Sequence, residues 1–101
     1  MPTRFSSEDL GRIFDARALT RGRSFVLIGA VEVGLTGDVI TGIVDDHGVH
    51  RTATMEPEEQ GHRVVFNARC TCRTPSCAHL AGTAFAALER YPALRRPAQN
   101  S

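Results

Sequence analysis

A chain of 101 residues, 42 % hydrophobic and 23 % charged, builds one core and one domain over residues 1–101, and its composition excludes a disordered or membrane-embedded chain. Its longest apolar run, FVLIGAV at 25–31, is far short of the ~20 residues that cross a bilayer. The formal net charge of +1 hides a segregation, because residues 1–30 carry +2, residues 31–61 carry −6 and residues 62–101 carry +5.

Every basic residue is Arg and none is Lys. Bidentate phosphate recognition favours Arg, and so does a genome rich in G and C. The N-terminal MPTRFSSEDL lacks the apolar stretch of a secretory signal, so a cytoplasmic location is expected. MPTR and RRPAQNS read as frayed tails. Between them, SSEDLGRIF offers Ser6 or Ser7 as a cap, acids in the first turn, and Leu10, Ile13 and Phe14 at helical spacing. A second helix is expected from Asp15, with Ala18, Gly22, Phe25 and Val26 on one stripe and Gly29 as its stop. Gly22 lowers the stability of that helix by about 1 kcal/mol relative to Ala, so its place on the stripe predicts a close neighbouring backbone.

The period then changes. AVEVGLT, DVITGIVDD, HRTATME and HRVVFNARC are short and β-branched, separated by TGD, DDHG and EPEEQG as turns. Four antiparallel strands follow, the last with Val64, Phe66 and Ala68 on its apolar face. A final helix is expected from about Cys77 to Arg90, with Leu80, Ala84, Ala87, Leu88 and Tyr91 at helical spacing and Pro92 beyond. The fold class is α+β: N-terminal helices, a four-stranded antiparallel meander and a C-terminal helix.

All three cysteines and one of the four histidines fall within CTCRTPSCAH, residues 70–79. If Cys70 and Cys72 end the fourth strand, they point to one face. Residues two apart in a helix lie ~200° apart around its axis, so Cys77 belongs at the helix start and His79 in its first turn. Thr74, Pro75 and Ser76 fit that start, since Thr and Ser cap helices and Pro is tolerated at the first position. Cys70, Cys72, Cys77 and His79 then form a closed Cys3His site for one structural zinc ion, joining the last strand to the helix. A Cys-x-Cys redox pair and plain buried cysteines are the alternatives. His47, His50 and His62 lack partners at ligand spacing and read as surface residues.

The spacing Cys70-x-Cys72, a gap, then Cys77-x-His79 resembles the SWIM-type zinc finger. RGRSFVLIGAV, with Phe25 at the aromatic position, is similar to the Arg-Gly-x-x-aromatic-x-x-x-Gly-x-Val stretch that precedes the finger in bacterial members. The resemblance runs from about Phe14 to Glu89, with the finger proper at about 62–90. The gap RTPS is shorter than in most members, and Ala78 stands where many bacterial ones have Lys. The resemblance implies a metal-stabilised module for DNA or protein binding, of the kind that accompanies chromatin-remodeller-like helicases.

No nucleotide-binding motif and no nucleophile with an adjacent base is present, so a non-enzyme without a small-molecule substrate is expected, working beside a helicase, another ATPase or some other protein. The basic end makes DNA or RNA the first expected partner, with Arg63, Arg69, Arg73, Arg90, Arg95 and Arg96 as phosphate contacts. A protein-interaction adaptor is the other reading, docking through the acidic Glu56, Glu58 and Glu59 turn or an exposed sheet edge.

Overall fold

Ser6 opens the first helix in the computed structural model, which describes residues 3–96. Its hydroxyl accepts from the Asp9 N–H at 3.3 Å, and the Asp9 carboxylate accepts from the Ser6 N–H at 2.8 Å. This reciprocal cap satisfies two otherwise orphaned donors and starts α1 at Ser7–Ile13. Asp15 caps α2, Ala16–Leu27, by accepting from the Ala18 N–H. The sheet follows as β1 Val31–Thr36, β2 Val39–Asp46, β3 Val49–Gln60 and β4 Arg63–Cys70, then α3 at Ala78–Arg90 and a 3-10 turn at Pro92–Leu94.

The strands lie in chain order, each antiparallel to the next. All three connections are two-residue hairpins, closed by the pairs Thr36 with Val39, Asp46 with Val49 and Gln60 with Arg63. In the middle turn both His47 and Gly48 have positive φ, 52° and 86°. That is the twist-matched hairpin geometry, in which glycine is favoured.

β3 is longer than its sequence suggests. EPEEQG is not a six-residue turn, because the strand continues through Pro57 to Gln60 and only Gly61 and His62 form the bend. Hydrogen-bonded pairs alternate along an antiparallel ladder, so with Gln60 and Arg63 closing the hairpin the Pro57 nitrogen faces away from β4. Pairing of β3 with β2 ends at Met55, so the missing N–H of Pro57 deprives no partner.

One face of the sheet carries Ile40, Val44, Ala53, Met55 and Val64, all buried. α3 packs on this face and against α2, and is buried on nearly every side. Its small residues allow this closeness. The expected backbone contact at Gly22 is present: a Cβ there would lie 2.7 Å from the Gly82 nitrogen and 2.9 Å from the Ala81 Cβ. At Gly42 of β2 a Cβ would collide with the Thr83 side chain.

Ala68 shares the inward face of β4 with Val64 and Phe66 as expected, and is exposed near the edge of the sheet. Two expectations need correction. Thr74, Pro75 and Ser76 form an exposed turn rather than the helix cap. Ser76 has φ 48°, whereas the capping position needs extended backbone, which Cys77 supplies at φ −79° and ψ 169°. The C-terminal tail is also tied rather than frayed at its first two residues, Arg95 and Arg96. Phe5 donates to the Leu94 carbonyl and accepts from the Arg96 N–H, each at 2.9 Å, and both Phe5 and Leu94 are fully buried. Residues 1, 2 and 97–101 of the predicted tails lie outside the described residues. No described helix is long and apolar enough to cross a membrane.

Candidate metal centre

Cys70 is the last residue of β4, and its side chain lies buried on the face that meets α3. The ladder ends just beyond it. Thr71 donates its N–H to the Thr52 carbonyl, while the return bond from the Thr52 N–H goes to the Thr71 hydroxyl, both at 3.1 Å. This exchange of side chain for carbonyl releases the backbone into a turn, closed by the Arg73 N–H on the Cys70 carbonyl at 2.9 Å with Arg73 at φ 63°. Cys72 is therefore delivered by the turn and not by strand alternation as expected. Cys77 caps α3, and Ala78 begins the helix, so His79 lies in its first turn as predicted.

The three sulfurs and one ring nitrogen of Cys70, Cys72, Cys77 and His79 all lie within 4.8 Å of one another. Cys70 Sγ and His79 Nδ1 are 3.7 Å apart. A tetrahedral site with metal–sulfur bonds of about 2.3 Å spaces its donors roughly 3.8 Å apart, so the four atoms have the spacing to hold one ion. No disulfide competes, since all three cysteines are free.

The thiols of the metal-free chain differ. Burial pushes Cys77 up to about 12 and raises Cys70 as well. Burial also acts upward on Cys72, but the Thr74 backbone N–H and its contacts with His79, Cys77 and Cys70 outweigh it and bring this thiol down to about 6. One sulfur thus has marked thiolate character before any ion arrives, and an ion supplies the charge that the other two need.

The other side of the imidazole is equally committed. His79 Nε2 lies 2.8 Å from Asp46 Oδ2, at the end of β2. Hydrogen bonding to His79 holds the Asp46 carboxyl below the usual range despite some burial, and the Arg21 guanidinium adds to the effect. Arg21 of α2 lies 3.7 Å from the same carboxylate. Phe25, one turn along α2, stacks on the His79 ring at 5.6 Å and 25°. Farther along α3, the Thr83 hydroxyl donates to the His79 carbonyl at 2.8 Å. The spacing of the cysteines and His79 gives no sign of Asp46: it sits 33 positions before His79, inside what reads as turn chemistry, and only the sheet register brings it there.

The six arginines expected to contact phosphate do not form one patch. Arg69 and Arg73 are exposed on either side of the first two cysteines. Arg63 opens β4, six residues and about 20 Å from Arg69 along the strand. There it lines a cleft of about 640 Å³ with Arg95, Arg96, Arg12 and His62, bounded by Glu8 and Asp9. Within that cleft Arg96 is partly engaged by the buried Asp9 at 3.4 Å, and Arg95 donates to the Leu88 carbonyl. Arg90 is elsewhere, at the end of α3, with its guanidinium 5.4 Å from the Tyr91 ring centroid. His47, His50 and His62 are exposed, as expected of surface residues.

The chain matches no protein-family model, no curated protein and no solved structure among those compared.

Proposed function

We propose that this chain is a zinc-stabilised, non-catalytic module that binds nucleic acid. Three thiolates and an imidazole form a donor set suited to zinc, and four protein ligands leave no position for a water or a substrate. Such an ion holds shape. The similarity of Cys70-x-Cys72 and Cys77-x-His79, with the Arg21 to Val31 stretch, to SWIM-type zinc fingers accords with this reading and with an accessory role beside a helicase or another ATPase.

The observation that carries the nucleic-acid reading is the cleft where Arg12, Arg63, Arg95 and Arg96 converge around two acids. Its balance favours an anion with repeated charges, and Arg69 and Arg73 form a separate exposed basic pair beside the cysteines. The test is fluorescence anisotropy with labelled duplex DNA and single-stranded RNA across a salt series. Binding that weakens steeply with salt supports the reading, whereas no binding at low salt, or binding indifferent to salt, refutes it.

A protein partner is the second reading. Leu27 and Ile28 stand side by side at the end of α2, 86 % and 75 % exposed, and adjacent exposed apolar residues suit a docking surface. A partner retained on the chain after nuclease treatment favours this reading over the first.

A further inference from the structure

We infer that Asp46 is a positioning residue for the metal centre, fixing which nitrogen of His79 faces the three sulfurs. This rests on the reading that the site holds a metal ion. A neutral imidazole carries its proton on one nitrogen and its free lone pair on the other. An ionised carboxylate only accepts hydrogen bonds, so Asp46 Oδ2 at 2.8 Å requires the proton on Nε2. The lone pair is then on Nδ1, the nitrogen 3.7 Å from Cys70 Sγ.

Ring rotation is restrained as well. Phe25 covers one face of the imidazole, and the His79 side chain is only 8 % exposed. Arg21 lies behind the carboxylate at 3.7 Å and offsets part of its charge, which would otherwise add to the net negative charge of three thiolates around a divalent ion. The four participants come from α2, β2 and α3, so the metal centre extends beyond its ligand loop. Nitrogen geometry at the ion is thereby set by a residue in a different hairpin.

The test compares zinc affinity, by competition with a chromophoric chelator, for the wild-type chain, Asp46→Ala and Asp46→Asn. Two-bond ¹⁵N–¹H correlations on the zinc-loaded wild type report which ring nitrogen is protonated. The proposal expects a proton on Nε2 in the wild type, a 10- to 100-fold loss of zinc affinity in Asp46→Ala, and a loss below about fivefold in Asp46→Asn, whose amide oxygen still accepts from Nε2–H. A merely structural role for Asp46 would lower metal-free and zinc-loaded stability alike and leave affinity unmoved. Wild-type affinity in Asp46→Ala, equal losses in the two variants, or a proton on Nδ1 would each overturn the proposal. If Asp46→Ala does not fold, the wild-type spectrum and the Asp46→Asn affinity still decide. Failure of the wild-type chain to bind zinc would instead remove the metal reading itself, so the two failures are distinguishable.

Discussion

Gly22 of α2 and Gly82 of α3 meet backbone to backbone: a Cβ on Gly22 would stand 2.7 Å from the Gly82 nitrogen, and one on Gly82 would stand 3.1 Å from the Gly22 carbonyl oxygen. In an isolated helix Gly22→Ala would stabilise by about 1 kcal/mol. Here the methyl group meets the backbone of another helix, and overpacking of this kind costs about 1–3 kcal/mol. Gly22→Ala is therefore expected to be net destabilising, by up to about 2 kcal/mol in chemical denaturation. An unchanged or raised midpoint would show that α2 and α3 separate freely.

Gly42 has a tighter constraint, since its missing side chain leaves the space that Thr83 occupies. Gly42→Ala should destabilise the fold by about 2 kcal/mol or more. It should also weaken metal binding, because α3 must lift from β2 and the bond between His79 and Asp46 spans that same interface. Adding Thr83→Ala removes the two nearest clashing atoms while leaving the Thr83 Cβ position, at 2.8 Å, occupied. The double variant should thus recover part of the loss. Strictly additive effects in the cycle would contradict this geometry.

The α1 cap is also where the chain ends are joined. Asp9 is 3 % exposed, caps Ser6, and faces Arg12 at 3.3 Å and Arg96 at 3.4 Å. Asp9→Ala is expected to cost about 2 kcal/mol, mostly through the cap, because the Arg12 partner is more than half exposed. Arg12→Gln should cost well under 1 kcal/mol. Equal costs for the two, measured by urea unfolding, would move the weight from the cap to the ion pairs.

For the proposed nucleic-acid surface, position separates the arginines. Arg63 lines the cleft, whereas Arg90 lies beside Tyr91 on a separate groove with Glu32 and Glu89. Arg63→Gln should weaken binding and reduce the salt slope by about 0.9 for each phosphate that is no longer neutralised, with Arg90→Gln leaving both unchanged. The reverse pattern would relocate the surface to the end of α3.

Most of the architecture is legible in the residues themselves. Ser6 and Asp15 mark helix starts, β-branched runs separated by Gly turns give the meander, and the Cys/His quartet falls within one short loop. What escapes is long-range. EPEEQG reads as a turn until the register shows that β3 runs through it, with the Pro57 nitrogen on an unpaired edge. Nothing in the residues pairs Phe5 with Leu94, yet the backbone bond between them completes the core. Asp46 reads as a turn former, and its role depends on a helix more than 30 residues later. The alternation rule places Cys70 correctly but not Cys72, because the Thr71 hydroxyl ends the ladder between them.

In the proposed function, Cys70, Cys72, Cys77 and His79 hold one zinc ion that clasps β4 to α3. Native mass spectrometry of the purified chain, paired with thermal unfolding before and after chelation, tests it most directly. One zinc per chain is expected, with a fall in the unfolding midpoint of more than about 10 °C when the ion is removed, since binding energy in such sites is largely folding energy. A metal-free chain that unfolds at the same temperature with or without added zinc, its three thiols open to alkylation, would contradict it.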